Sequence, residues 1–250
     1  MRNRLGKSSL LFLVAIFLIF IGALFWLRPN SQETNTGNRH SSQHTGQQVE
    51  TKASTSKLPD SSPSEWNLRL VNREHLTPEL NPDLAMVGPI QVDSRIAQEV
   101  SDFLAAAQAL DPAFHLISGY RSVAYQKDLF QSYVNQEKAN DPSLSDDEAR
   151  DLVQTYSQPA GASEHQTGLA IDLSTVDALN QADKAVMAKV HALAPRYGFV
   201  LRFPEGKTAV TGVSYEDWHF RYVGKRTARY MTDHQLTLEE YLEQLEEKTP

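Results

Sequence analysis

The chain contains no cysteine. Disulfide bonds are therefore excluded. If the chain is exported, its folded part must be held together by its hydrophobic core alone. A lipid anchor on a cysteine is excluded for the same reason.

Positive charge is also scarce, because the chain has 24 basic residues and 31 acidic ones, which gives a net charge of −7. An acidic chain is a poor partner for nucleic acid, so we predict no nucleic-acid function.

One long segment has neither charge nor proline. Residues 10–27 read LLFLVAIFLIFIGALFWL, which is long enough to cross the roughly 30 Å hydrocarbon layer of a bilayer. Three basic residues precede this segment and only Arg28 follows it, which predicts a cytoplasmic N-terminus. We therefore predict a single-pass membrane anchor over residues 1–28, with the rest of the chain outside the cell. A cleaved signal peptide with a weak site at residues 21–23 is the alternative.

The segment after the predicted anchor lacks aromatic residues. Within residues 29–64, Val49 and Leu58 are the only large aliphatic residues, so the segment cannot bury enough apolar surface to fold and is predicted to be a disordered linker. The linker has three acidic and three basic residues, while residues 1–28 have four basic ones and no acidic one. The remaining residues, 65–250, are predicted to form one folded domain, and they carry a net charge of −11.

Helical and strand patterns are mixed along the predicted domain without a regular alternation, which favours the α+β class. Asp93 precedes apolar residues at helical spacing, and Ser145 and Thr237 each begin a capping box with a glutamate three residues later. One strand is predicted within FHLISGYRS, residues 114–122, and ends at Gly119. The other predicted strands are LAIDLS at 169–174, GFVLRF at 198–203 and WHFRYV at 218–223.

The run LAIDLS places a charged residue, Asp172, inside an apolar strand. Because alternate side chains of a strand face opposite ways, its leucine and isoleucine residues can face a core while Asp172 faces a cleft. The small residues Gly168 and Ala170 are predicted to leave room on the cleft side. His165 lies just before the strand, and a turn at Gly168 would bring its imidazole beside Asp172.

A second strand contains EDWHFRY at residues 216–222. Alternation places His219 on the face opposite the aromatic residues of this strand. In a regular strand Glu216 would point away from His219, so a turn around residues 215–217 is required for the two side chains to meet.

His165, Asp172 and His219 would together offer two imidazoles and one carboxylate to a single metal ion. Three protein ligands with a fourth position open for water are typical of catalytic zinc, although the residues alone leave other divalent ions open. Glu216 is the candidate general base. Arg121 could stabilise an oxyanion or bind a substrate carboxylate. Each residue also has a purely structural explanation, since Asp172 could cap a turn and Arg121 could form a salt bridge.

The segments SGYRS, SEHQTGLAID, GFVLR and EDWHFRYVG occur in this order along the chain. They resemble the motifs of the VanY-type D-alanyl-D-alanine carboxypeptidases, and especially those of the LdcB/DacB group of peptidoglycan carboxypeptidases. The resemblance covers residues 65–245. It implies a small antiparallel sheet flanked by helices, with one zinc ion held in a cleft by His165, Asp172 and His219.

The resemblance also implies roles for four further residues. Glu216 matches the catalytic base, and Arg121 matches a residue near the scissile carbonyl or the terminal carboxylate. Ser163 and Gln126 match positions that line the substrate pocket in LdcB-like members.

The activity that the resemblance implies is removal of the terminal D-alanine from peptidoglycan stem peptides. Cleavage of the tetrapeptide by an L,D-carboxypeptidase is expected in preference to cleavage of the pentapeptide by a D,D-carboxypeptidase. Residues 135–162 are where the cleft walls could differ between family members. A non-catalytic wall-binding module and an endopeptidase that cuts cross-bridges are the alternative functions.

Overall fold

A computed structural model describes residues 57–178 and 180–248 of the chain. The predicted membrane anchor, residues 1–28, and the predicted linker as far as residue 56 lie outside the described residues. Within the described ranges, none of the helices is both long enough and apolar enough to cross a bilayer.

The described residues form an antiparallel sheet flanked by helices, as predicted for the α+β class. The strands are β1 (Leu84–Val87), β2 (Ile90–Asp93), β3 (His115–Ser118), β4 (Ala170–Ser174), β5 (Phe199–Leu201) and β6 (His219–Tyr222). The helices are α1 (Ala97–Gln108), α2 (Val123–Asn140), α3 (Asp146–Val153), α4 (Lys184–Leu193), α5 (Thr208–Thr211), α6 (Lys225–Asp233) and α7 (Leu238–Lys248). The four-stranded sheet has the order β3-β4-β6-β5, and β1 and β2 form a separate hairpin. Strand β4 therefore has a neighbour on each side.

The apolar side chains of β4 and the residue before it enter the main core. Leu169, Ile171 and Leu173 are at most 2% exposed and share one cluster of buried hydrophobic residues, as strand alternation predicted. Each such side chain contributes about 1.5–3 kcal/mol when it leaves water. This burial fixes the register of β4, because a slip by one residue would turn the apolar set away from the core.

Phe103 of α1 lies in the same core. Its ring centroid is 5.2 Å from that of Phe199 in β5 and 5.1 Å from that of Phe220 in β6. Helix α1 follows a 3-10 turn whose first amide groups are capped by Asp93, since the Asp93 carboxylate accepts a hydrogen bond from the Arg95 amide. The prediction that Asp93 begins a helical segment is confirmed.

Both predicted capping boxes are formed. The Ser145 hydroxyl accepts from the Glu148 amide at 3.2 Å, and the Glu148 carboxylate accepts from the Ser145 amide at 2.9 Å. Thr237 and Glu240 exchange the same pair of bonds at the start of α7. Capping satisfies amide groups that have no partner inside the helix, so these bonds set where α3 and α7 begin.

Gly168 has a different role from the one predicted. Its φ of 70° lies in the left-handed region that favours glycine, and it ends the turn that precedes β4. A Cβ atom at this position would lie 2.7 Å from the Asp93 amide nitrogen. The prediction that Gly168 leaves room in the cleft is therefore wrong, because its small size instead admits the end of β2.

Candidate active site

A 3-10 turn places His165 immediately before β4. The turn spans Glu164–Thr167 and ends at Gly168. His165 Nδ1 lies 2.7 Å from the carbonyl oxygen of Gly119, which accepts its proton. Its other nitrogen, Nε2, lies 3.4 Å from Asp172 Oδ1. The His165 side chain is 2% exposed, and its orientation is fixed by the Gly119 carbonyl.

Asp172 lies in the middle of β4 between two neighbouring strands. Its Cα partners are Ser118 on β3 and His219 on β6. The Ser118 hydroxyl donates to Asp172 Oδ2. The other oxygen, Oδ1, is buried and has no hydrogen-bond partner among the described residues. The sheet therefore directs one unpaired carboxylate oxygen toward both imidazoles.

His219 begins β6 and completes the cluster. Its Nδ1 lies 3.5 Å from Asp172 Oδ1, and its ring meets that of His165 edge to face with centroids 4.9 Å apart. One ligand atom from each of His165, Asp172 and His219 lies within 4.8 Å of the other two, and all three residues are buried. The cluster has the size and the donor set of a site for one metal ion.

The carboxylates around His219 make its surroundings negative, which favours a positive charge there, on the imidazole or on a metal ion. Burial alone would lower the pKa of the His219 imidazole, but the carboxylates of Glu164, Glu216 and Asp172 raise it to about 9. Burial lowers the pKa of His165, with a further lowering by Arg121, so His165 stays in the neutral form that binds metals. Two imidazoles and an unpaired carboxylate oxygen in an acidic pocket fit zinc, which prefers such ligands.

Glu216 is held beside this cluster by a turn before β6. Its Oε2 lies 3.3 Å from His219 Nδ1. Residues 214–216 are irregular and residues 217–218 form a bend, so the chain departs from a regular strand here, as the meeting of the two side chains requires. Burial raises the pKa of the Glu216 carboxyl. Such a group accepts a proton more readily than an exposed glutamate, which is what a general base requires.

Asn180 fixes the backbone of this turn, a contact that the sequence did not suggest. Its side-chain amide donates to the Tyr215 carbonyl at 2.9 Å, and its side-chain oxygen accepts from the Asp217 amide at 3.0 Å. The two bonds flank Glu216 on both sides. In addition, the Glu216 amide donates to the Phe203 carbonyl at 3.2 Å. These contacts hold the backbone around Glu216 in place, and from there its side chain reaches His219.

Arg121 lies close to the same cluster. Its backbone amide donates to the His165 carbonyl at 3.1 Å, and its side-chain Nε is buried without a hydrogen-bond partner among the described residues. Burial alone would raise the pKa of Asp172, but His165, His219 and, to a smaller extent, the positive charge of Arg121 hold it well below its usual range. The role of Arg121 toward a carbonyl oxygen or a terminal carboxylate of the substrate stays a prediction.

Gln126 and Ser163 are both buried, at 1% and 3% exposure. Gln126 lies in the first turns of α2, and its Nε2 donates to the Gln158 carbonyl at 2.6 Å. Its Oε1 has no hydrogen-bond partner in the described part of the chain. Ser163 precedes the turn that carries His165. Both residues are therefore buried close to the elements that carry the site, and their contact with a substrate stays a prediction.

A buried ionic network beneath the cluster was not predicted. Glu164 Oε1 accepts from Arg202 Nε at 2.8 Å and from Arg221 Nη1 at 2.7 Å, and Arg202 also forms a two-bond pair with Glu239 of α7. Burial alone would raise the pKa of Glu164, but the two guanidinium groups hold it well below its usual range. One sequence signal was available, since strand alternation places Arg221 on the same face as His219.

The site has the features of a metallopeptidase. Two histidines and an aspartate surround one point, a buried glutamate lies next to them, and an arginine stands nearby. Such a set can bind a metal ion, activate water and stabilise a developing oxyanion.

Comparison with known proteins identifies the family. A family model described as "VanY: D-alanyl-D-alanine carboxypeptidase" matches residues 89–225, more than half of the chain. A D-alanyl-D-alanine carboxypeptidase of Enterococcus faecalis is 35% identical over 181 residues, which cover 71% of this chain and 66% of that relative. The chain belongs to the VanY family, as its motifs predicted.

Two solved structures are similar to the described fold. The vancomycin resistance D,D-pentapeptidase VanY from a VanB-type cassette, in complex with Zn(II), is 34% identical with a TM-score of 0.63, over 71% of this chain and 99% of that one. The LdcB LD-carboxypeptidase is 31% identical with a TM-score of 0.57, over 70% of this chain and 84% of that one. The chain is thus a zinc metallopeptidase of the VanY family, and the solved structures similar to it include both a D,D-pentapeptidase and an LD-carboxypeptidase.

Proposed function

We propose that this chain removes the terminal D-alanine from peptidoglycan stem peptides, with zinc held by His165, Asp172 and His219. The observation that carries the proposal is the proximity of Glu216 Oε2 to His219 Nδ1, at 3.3 Å, beside three buried ligating residues. A non-catalytic binding module would need neither a buried base nor an unpaired carboxylate oxygen next to it. Both groups are costly to bury, which supports a catalytic role.

The residues around the cluster have distinct tasks in this reaction. Zinc, when bound, lowers the pKa of water and polarises the scissile carbonyl. Glu216 takes the proton from the attacking water and delivers it to the amine of the departing D-alanine. Arg121 balances the charge on the carbonyl oxygen or binds the terminal carboxylate. Ser163 and Gln126 line the pocket, where Gln126 Oε1 is an acceptor for a peptide amide.

The choice of peptide bond is the finer part of the proposal. The tetrapeptide is the preferred substrate, on the motif resemblance to the LdcB group. The pentapeptide is the second candidate, supported by the higher identity to the D,D-pentapeptidase VanY, 34% against 31% for LdcB. The chemistry at the metal is the same for both bonds, so the walls of the pocket must discriminate between them.

Purified muropeptides would separate these activities. We expect the protein to release D-alanine from a disaccharide tetrapeptide faster than from the matching pentapeptide, measured by chromatography and mass spectrometry. Release from the pentapeptide alone would contradict the L,D assignment and leave the general proposal intact. Conversion of cross-linked dimers to monomers without D-alanine release would instead indicate an endopeptidase.

We also propose that residues 1–28 anchor the protein in the cell membrane and that residues 29–64 tether residues 65–250 on the cell-wall side. The support is the uncharged run of residues 10–27 with its basic residues on the N-terminal side. We expect the full chain to stay in the membrane fraction after an alkaline wash. A shorter species in the culture medium would indicate a cleaved signal peptide instead.

A further inference from the structure

Two buried polar atoms face each other on the side of His219 that points away from Asp172. Glu164 Oε2 lies 3.6 Å from His219 Nε2, and neither atom has a hydrogen-bond partner among the described residues. The side chains of Glu164 and His219 are 2% and 8% exposed, respectively. Leaving a buried polar atom unpaired costs about 1–3 kcal/mol. A hydrogen bond from His219 Nε2 to Glu164 Oε2 would remove this cost for both atoms.

The Glu164 carboxylate is held rigidly in this direction. Its second oxygen, Oε1, accepts from Arg202 at 2.8 Å and from Arg221 at 2.7 Å. The Arg221 guanidinium is itself fixed by the backbone carbonyls of Asn67 and Arg69 at 3.1 and 2.8 Å. Because one oxygen is bound by two guanidinium groups, the other cannot turn away from His219 without breaking those contacts.

The two histidines of the cluster are oriented through opposite nitrogens. His165 donates through Nδ1 to the Gly119 carbonyl at 2.7 Å and turns Nε2 to the cluster. His219 turns Nε2 to Glu164 at 3.6 Å and Nδ1 to Asp172 at 3.5 Å. A histidine that binds a metal commonly gives its remaining N–H to such an acceptor, which fixes the tautomer and the ring.

We propose that Glu164 is the positioning residue for His219: its Oε2 accepts the Nε2 proton and leaves the Nδ1 lone pair for zinc. This inference rests on the proposed metal site and not on the choice of substrate. Glu164 touches neither substrate nor reacting atoms, and its effect on catalysis passes through His219.

The test compares two variants, each of which neutralises one of the two carboxylates that bind Arg202. Glu164→Gln removes the charge that faces His219, and we expect zinc affinity, measured by titration against a competing chelator, to fall about 10–100-fold. Glu239→Gln removes the charge of the other carboxylate that is bound to Arg202. Arg202 donates to this carboxylate through Nη1 at 2.9 Å and through Nη2 at 2.6 Å. We expect this control to lower the melting temperature and leave zinc affinity unchanged. Equal affinity losses in the two variants, or no loss in Glu164→Gln, would overturn the proposal.

A second measurement needs no variant. In the zinc-loaded wild-type protein, nitrogen-15 NMR of the histidine side chains is expected to show the His219 proton on Nε2 and zinc on Nδ1. A proton on Nδ1 would overturn the assignment even if Glu164→Gln fails to fold. Both readouts report on metal binding, so an absence of D-alanine release would contradict the proposed substrate without affecting this inference.

Discussion

Replacing Asp172 with alanine is expected to abolish zinc binding and, with it, the release of D-alanine. The change removes the only oxygen among the three proposed ligands, and Oδ1 is the atom that faces both imidazoles, 3.4 Å from His165 Nε2 and 3.5 Å from His219 Nδ1. The loss of zinc affinity should exceed the roughly 100-fold that removal of a ligand's outer partner costs. Titration with a competing chelator measures the affinity, and D-alanine release on the same samples measures the activity.

Asp177→Ala is the matched control for this substitution. Asp177 lies three residues beyond β4 and pairs with His115 at 2.8 Å, and its side chain is 67% exposed. Removing this carboxylate should leave both zinc affinity and turnover at the wild-type level, because an exposed ion pair contributes little. Full zinc affinity in Asp172→Ala, alongside a normal control, would exclude Asp172 as a ligand.

Replacing Glu216 with glutamine is expected to separate catalysis from metal binding. The amide keeps the size of the side chain and the backbone bonds on both sides of it, but it cannot accept a proton at the active site. Turnover should fall about 10²–10⁴-fold, the usual contribution of a positioned general base. Zinc affinity should remain, because His165, Asp172 and His219 are intact.

The control for Glu216 is Glu205→Gln, at an exposed glutamate in the loop after β5. Rates of D-alanine release at saturating tetrapeptide compare the two variants directly. Unchanged turnover in Glu216→Gln would refute its role as the base, and a joint loss of zinc and activity would instead make it a ligand.

The parts of the site that follow from local pattern could be predicted from the sequence. Alternation in LAIDLS placed Leu169, Ile171 and Leu173 in the core and Asp172 opposite them, because the burial of one strand face is a local property. The departure from strand geometry before His219 could not be predicted. It could only be named as the condition under which Glu216 and His219 meet. Which strands become neighbours is a tertiary property, so the pairing of Asp172 with His219 across β4 and β6 appears only in the structure.

Other features depend on packing that no local pattern reports. The β1–β2 hairpin and α6 were not predicted. The buried face of α6 consists of Thr227, Ala228 and Met231, so a search for large apolar residues at helical spacing does not find it. Glu164 and Arg202 are charged, and such residues are almost never fully buried unless they are paired. Their partners come from β6 and α7, far away in the chain, so the network beneath His219 could not be found by reading each segment alone.

The most direct test of the proposed site is elemental analysis of zinc in three proteins prepared together: wild type, Asp172→Ala and Glu216→Gln. One cluster of ligating residues is present among those described, so we expect one zinc ion per chain in the wild type. We expect the same zinc content in Glu216→Gln, which should be inactive, and none in Asp172→Ala. Zinc retained in Asp172→Ala, or lost from Glu216→Gln, would contradict the division between ligand and base on which the proposed reaction depends.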